Sequence, residues 1–234
     1  MTTFVLIHSP IVGPVAWSAV AEELRIRGVK AIVPDLAYDV VPKQPFWELH
    51  AKSVARAIRS ISENEALILT SHSGAGMLLP AISQISGRPV AGYIFVDADI
   101  PEDGISRLEI LGRELPQAAE EVHRALSAGK MLPAWSDADL REIIPDPAVR
   151  QRVLAHLRHH PLAFMEEAIA VFESWPDAPC AYLSFPRTGS YGESVKRAKR
   201  EGWAYAELDG AHFHMLVDPV GVAKALLGLA AREE

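Results

Sequence analysis

Ala66-Leu67-Ile68-Leu69-Thr70-Ser71-His72-Ser73-Gly74-Ala75-Gly76 decides the reading of this chain: an apolar run, then small residues around a serine, then Met77 to Ile85 with helical periodicity. Where a strand turns sharply into a helix, the residue at the strained turn is thrust outward, and the positions two before and two after it must be small for the two elements to approach. Ser71 and Ala75 meet that requirement, a relaxed form of G-x-S-x-G, and Ser73 becomes a candidate nucleophile. The competing reading makes Ser73 an ordinary helix N-cap, a role serine fills well.

Working outward, six short apolar runs recur: Phe4 to Ile7, Ala31 to Val33, Ala66 to Thr70, Val90 to Val96, Cys180 to Ser184 and Ala204 to Leu208. They are nearly continuous rather than alternating, as expected of parallel strands covered on both faces. Helical segments separate them: Trp17 to Arg27, stopped by Gly28 in a left-handed C-terminal position; Phe46 to Ile61; a basic stretch from Tyr191 to Glu201; and an apolar-faced closing helix from Val220 to Ala231. This alternation predicts an α/β fold, a doubly wound sheet with right-handed crossovers and its active residues at the carboxyl ends of the strands.

Between Ile100 and Pro179 the strand-like runs vanish, and three or four helices separated by Pro116, Pro133, Pro145, Pro147 and Pro161 are expected. We read 100–175 as a helical cap inserted into a core made of 1–99 and 176–234. Trp135, Phe164, Met165, Phe172 and Trp175 could line its apolar ceiling, although aromatics at helical spacing are more often packing than ligand contacts. Such a cap excludes water and selects substrate by shape.

The 234 residues are enough for one domain with a sizeable core. Hydrophobic residues at 49% and charged residues at 23% are ordinary for a globular protein, and the net charge of -7 argues against a nucleic-acid surface. The lone Cys180 rules out an internal disulfide, and no clustered ligand spacing points to a metal. Phe4 to Ile7 is too short for a signal peptide or a membrane span. The expectations are a cytoplasmic protein with no membrane or nucleic-acid partner, acting on a small molecule without a cofactor, with a homodimer left open. No dinucleotide fingerprint or Walker loop is present.

Ser73, then Asp97 at the end of the Val90 to Val96 run, then His212 in Leu208-Asp209-Gly210-Ala211-His212-Phe213, follow the order nucleophile, acid, base. On these residues, a Trp17-led first helix and the loop after the first strand, the chain resembles the α/β-hydrolase superfamily, nearest to its small plant-type methyl esterases and hydroxynitrile lyases. The resemblance covers nearly the whole chain outside the middle insertion. It implies an α/β-hydrolase fold: a six-stranded, mostly parallel sheet with an inserted helical cap.

A serine hydroxyl needs a base to accept its proton. The resemblance favours His212, in its loop before Asp218-Pro219, over His214, His72 and His8. The acid that would hold the imidazole in the productive tautomer is open between Asp97, Asp99 and Glu193, because plant-type relatives take it from the loop here written Phe185-Pro186-Arg187-Thr188-Gly189-Ser190, which has no carboxylate before Glu193. Asp97 is preferred. One oxyanion donor would be the Gly74 N–H; the other comes from His8-Ser9-Pro10-Ile11-Val12-Gly13, where the residue that normally donates falls at Pro10, which has no N–H. Either Ile11 supplies an amide, or the Ser9 hydroxyl substitutes, or the hole has one donor. Pro10, Trp135, Phe164, Trp175 and Phe213 are expected in the substrate pocket.

Three functions stay open. The first is a serine hydrolase cleaving a small, largely apolar ester, lactone or thioester through an acyl-enzyme on Ser73. A non-hydrolytic enzyme of the same fold, a lyase or cyclase using His212 as acid and base, is favoured by Pro10. Against a cyanohydrin lyase, Phe213 stands where that family has a lysine. The third is a binding module without turnover.

Overall fold

The structure is a computed structural model and describes residues 2–231. Its sheet is built from β1 (Thr2–Ile7), β2 (Lys30–Ile32), β3 (Ala66–Ser73), β4 (Val90–Ala98), β7 (Cys180–Ser184) and β8 (Ala204–Glu207), in the spatial order β2-β1-β3-β4-β7-β8. Every pairing in it is parallel. The six apolar runs are thus the six strands. A shorter pair, β5 (Ile105–Ser106) and β6 (Ala168–Ile169), forms a separate antiparallel ribbon.

Side chains alternate across the sheet and feed two cores, as the period of two in a strand requires. Phe4, Leu6, Ile68, Ile94, Val96, Ala181 and Leu183 face α1 (Ser18–Ile26) and α11 (Pro219–Ala230). Val5, Ile7, Leu67, Leu69, Tyr93, Phe95 and Tyr182 face α2 (Phe46–Ile58), α3 (Leu79–Ser86) and α9 (Gly192–Arg200). Both faces are buried, which is why the strands read as continuous apolar runs. Helix α1 ends where expected, with Gly28 at φ 76° just beyond it.

The chain between β4 and β7 carries α4 (Arg107–Glu114), α5 (Pro116–Ser127), α6 (Asp137–Leu140), α7 (Pro147–Ala155) and α8 (Leu162–Glu166), bracketed by β5 before α4 and β6 after α8. The ribbon departs from the expected absence of strands there. Two residues per strand are too few to leave a periodic trace in sequence. After His212 a short α10 (His214–Val217) precedes α11.

The strand order reverses at β1, because the chain runs from β1 out to β2 and then returns to place β3 on β1's other side. Ligands of open α/β sheets bind in the crevice at such a switch point. The loop after β1 and the turn after β3 therefore meet at one end of the sheet, and Trp17 fixes the former by donating its indole N–H to the Ile7 carbonyl at 3.1 Å.

Candidate active site

Three non-glycine residues among those described have a left-handed backbone: Ser73 (φ 59°), Asp97 (φ 45°) and Tyr191 (φ 67°). Each costs of order 1–3 kcal/mol and persists only where its surroundings enforce it. All three converge at the carboxyl end of the sheet.

Ser73 ends β3 and takes no part in capping the following helix, whose cap positions are Ala75 and Leu78. The N-cap reading is therefore set aside. The turn is tight further along than the sequence pattern indicates: a Cβ on Gly76 would lie 1.9 Å from the Asp99 carbonyl oxygen. Gly76, three residues past the serine, is the position at which no side chain fits.

Asp97 is placed by an irregularity in β4. Its neighbours Val96 and Ala98 pair with His72 and Ser73, so Asp97 is the extra residue of a bulge, a device that re-aims a side chain. Tyr182 pins the bulge, its hydroxyl donating to the Ala98 carbonyl at 2.9 Å while accepting from the Ala98 N–H at 3.0 Å. Asp97 is 1% exposed. Its Oδ2 accepts from the Thr188 hydroxyl and from His212 Nδ1–H, both at 2.7 Å, and its Oδ1 from the Phe185 N–H at 3.2 Å. A carboxylate only accepts, so His212 Nδ1 carries a proton, and in the neutral imidazole the free lone pair is the one on Nε2.

Asp99 and Glu193 do not fill that role. Asp99 lines a cavity instead, where burial raises its carboxyl to about 6. Glu193 is exposed on α9 and pairs with Lys196 at 2.6 Å.

The other histidines are committed elsewhere. His72 is fully buried, donates Nε2–H to the His212 carbonyl at 2.8 Å and lies beside the His212 ring, 4.4 Å between centroids. Burial keeps it neutral, well below the ordinary histidine range. His8 accepts from the Leu36 N–H through Nε2 at 3.2 Å, so its Nδ1–H donates to the Ser9 carbonyl at 2.8 Å. His214 packs its ring on Phe185 and crowds Gly210, where a Cβ would meet it at 2.2 Å.

Ser73 Oγ lies 3.1 Å from the Tyr191 hydroxyl, and the Tyr191 ring stacks on His212 at 5.3 Å and 15°. Among the described residues no hydrogen bond joins Ser73 to the His212 ring; Tyr191 lies against both. Burial pushes the Tyr191 hydroxyl well above its ordinary range, so it stays protonated. Sequence reading missed this residue, placing it at the start of a helix. Its one local signal is the pair Gly189 and Gly192 around it.

Ser73 and Tyr191 open on a cavity of about 340 Å³, lined also by Ser9, Pro10, Ile11, Gly74, Trp135 and Phe164. Neither the Gly74 N–H nor the Ile11 N–H is engaged in a hydrogen bond among the described residues. Met165 lines the cavity as well. Three expected lining residues, Trp175, Phe172 and Phe213, do not. Trp175 packs on Tyr93 and Phe95, at 5.7 and 6.3 Å, on the α2/α3 face of the sheet, because the chain there is already returning to β7; Phe172 joins the same core. Phe213 is 1% exposed in the opposite core, with ring contacts to His72, His212 and Trp135. It supports the histidine loop from behind.

Among the described residues no group of three or more His, Cys, Asp or Glu is placed to hold a metal ion, and no helix is long and apolar enough to cross a membrane.

No family model matches the chain. A carbendazim-hydrolyzing esterase from Nocardioides sp. (strain SG-4G) is 26% identical over 121 residues, which are 50% of this chain and 50% of that protein, so the match spans about half the length of this curated relative. Among solved structures, an extracellular α/β-hydrolase from a Paenibacillus species superposes with a TM-score of 0.81 at 21% identity, covering 98% of this chain and 99% of its own. A pyrethroid hydrolase from Sphingobium faniae JZ-2 gives 0.74 at 19% identity, covering 98% and 97%. The chain has the α/β-hydrolase fold.

Proposed function

We propose that the protein is a serine hydrolase that cleaves small, largely apolar esters, lactones or thioesters, with Ser73 as nucleophile, His212 as base and Asp97 as its orienting acid. The observation that carries this is the Asp97–His212 bond at 2.7 Å, which orients a ring stacked on Tyr191, whose hydroxyl lies 3.1 Å from a serine held on a strained elbow. In the first half-reaction Ser73 Oγ bonds to the substrate carbonyl carbon while its proton passes to His212 Nε2. The C–O or C–S bond then breaks, and that proton leaves on the alcohol or thiol. Water repeats the sequence on the acyl-enzyme, giving its proton to Nε2, and Ser73 recovers it as the acid departs.

The Gly74 N–H is one oxyanion donor. With Pro10 unable to donate, the Ile11 N–H or the Ser9 hydroxyl supplies the second from the same cavity wall. Before attack, Ser73 Oγ exchanges its bond to Tyr191 for one to Nε2, a tightening common in catalytic sites once substrate binds. The similar proteins named as esterases and hydrolases support ester cleavage in general.

Incubation with a fluorophosphonate probe, read by intact mass, tests the reading. Labelling of the protein but not of Ser73→Ala is expected, together with p-nitrophenyl butyrate hydrolysis that is lost in Ser73→Ala and His212→Ala. A protein that folds, fails to label and cleaves no ester would overturn it. Pro10 and the Ser73–Tyr191 bond favour a second reading, a lyase or cyclase in which His212 alone moves protons.

A further inference from the structure

Arg107 is the first residue of α4, the helix end where a cation is least favoured by the backbone dipole. It is 5% exposed, and its guanidinium lies 4.3 Å from the Phe164 ring centroid. Nη1 donates to the Phe164 carbonyl at 3.3 Å and stands 3.6 Å from Glu167 Oε1. That carboxylate is already occupied, accepting the N–H groups of Phe46 and Trp47 at the start of α2. Arg107 Nε and Nη2 are buried without any hydrogen-bond partner.

Nε and Nη2 share one edge of the guanidinium plane, the edge that grips paired or forked oxygen acceptors. Buried donors are nearly always satisfied, so an empty edge asks for a partner. Its position answers from where. Arg107 lines the same cavity as Ser73, and Nε lies 3.9 Å from the point a Cβ on Gly74 would occupy, beside the residue following the nucleophile. A structural arginine would turn this edge to Glu167. Here the edge is left over.

The surrounding charges choose the kind of acceptor. Asp99 and Glu114 line the cavity with Arg107, and Glu167 stands behind it, so the site already holds more carboxyl groups than its one guanidinium balances. A further negative charge would be repelled. A neutral oxygen would not.

Resting on the hydrolase reading, we infer that Arg107 is a binding residue that selects esters whose acyl group carries a second neutral carbonyl oxygen, such as a keto group, a few bonds from the scissile one. The free edge would then hold that oxygen while the scissile oxygen enters the Gly74 hole.

The test compares kcat/KM for ethyl pentanoate, ethyl 4-oxopentanoate, ethyl 3-oxobutanoate against ethyl butanoate, and monoethyl succinate, in wild type, Arg107→Met and Arg107→Lys. A charge-assisted bond of this kind is worth about tenfold or more. The oxo-to-alkyl ratio should therefore fall at least tenfold in both variants, Lys keeping the charge but not the forked edge. Taking a ratio within each variant cancels the intrinsic reactivity of the substrates and any general loss of active protein. Ratios that do not change, or a wild-type preference for monoethyl succinate, would overturn the inference. Should no ester be cleaved, calorimetric titration of Ser73→Ala with the same esters decides. Tighter binding of the oxo esters, lost in Ser73→Ala/Arg107→Met, keeps the inference while the hydrolase reading falls; equal binding of oxo and alkyl esters removes both.

Discussion

Asp97→Asn separates the orienting role of this carboxylate from its structural one. An asparagine has one acceptor oxygen where Asp97 uses two, accepting from Phe185 N–H, Thr188 Oγ1–H and His212 Nδ1–H. If its NH₂ took the place of Oδ1, it would face the Phe185 N–H, donor against donor, and two buried groups would go unsatisfied at about 1–3 kcal/mol each. With the NH₂ in the place of Oδ2, the Phe185 bond survives, the Thr188 hydroxyl turns to accept, and His212 Nδ1 must accept as well. That arrangement satisfies every partner and prevails. Its consequence is that the imidazole proton moves to Nε2, leaving no lone pair toward Ser73. In the Ser-His-Asp template the wrong tautomer costs about ten-thousandfold in kcat, or about 5 kcal/mol of transition-state stabilisation. Steady-state hydrolysis of p-nitrophenyl butyrate, beside urea unfolding, reads both quantities. The expected result is a loss of at least a thousandfold with stability within about 1 kcal/mol of wild type, while Asp99→Asn keeps more than a tenth of the activity. An Asp97→Asn enzyme within tenfold of wild type, or a stable but inactive Asp99→Asn, would refute the assignment.

Acid should unfold this protein early. Burial lowers His50 to about 2 and His160 to about 4, and His72 lies well below the ordinary range, so below pH 6.5 the unfolded chain binds protons that the fold refuses; Asp99, raised to about 6, opposes with one proton. The net is about 3 kcal/mol of stability lost per pH unit on acidification, and an unfolding free energy that stays flat from pH 6.5 to 4.5 would contradict it. Gly76→Ala should cost about 3 kcal/mol or more in chemical denaturation, because its Cβ meets the Asp99 carbonyl oxygen at 1.9 Å; wild-type stability would show that the elbow is looser than described. Tyr191→Phe frees Ser73 Oγ from a hydrogen bond worth about 1 kcal/mol, so fluorophosphonate labelling should quicken about fivefold. Slower labelling would mean that the hydroxyl assists attack.

The architecture was legible because both faces of the sheet are buried, which writes each strand as an unbroken apolar run with little regard to side-chain orientation. The candidate site was legible only where a residue's proposed role follows from its place in the order of elements, as for Ser73 and His212. Asp97 and Asp99 stand two apart and would project to the same side of a regular strand. The bulge at 97 breaks that equivalence, and nothing in the local composition announces it. The cap aromatics failed for a related reason: helical spacing identifies a buried face, whereas the partner of that face depends on the path of the chain. So Trp135 and Phe164 roof the cavity while Trp175 packs against β4.

Tyr191 and Arg107 share a feature that explains why both escaped notice: each breaks a local preference. A tyrosine in the left-handed region and an arginine at the first turn of a helix are both disfavoured. Local preferences, summed along a sequence, describe what a chain does where nothing else constrains it. Residues at the candidate site are held by constraints from distant segments, the Tyr191 hydroxyl by Ser73 and the Arg107 guanidinium by Phe164. A basic residue at a helix start beside an acidic cap, as in Ser106-Arg107-Leu108-Glu109, is therefore a usable signal: its cost must be offset elsewhere, and in this fold Arg107, with one edge buried and unpartnered, is among the residues lining the cavity that holds Ser73.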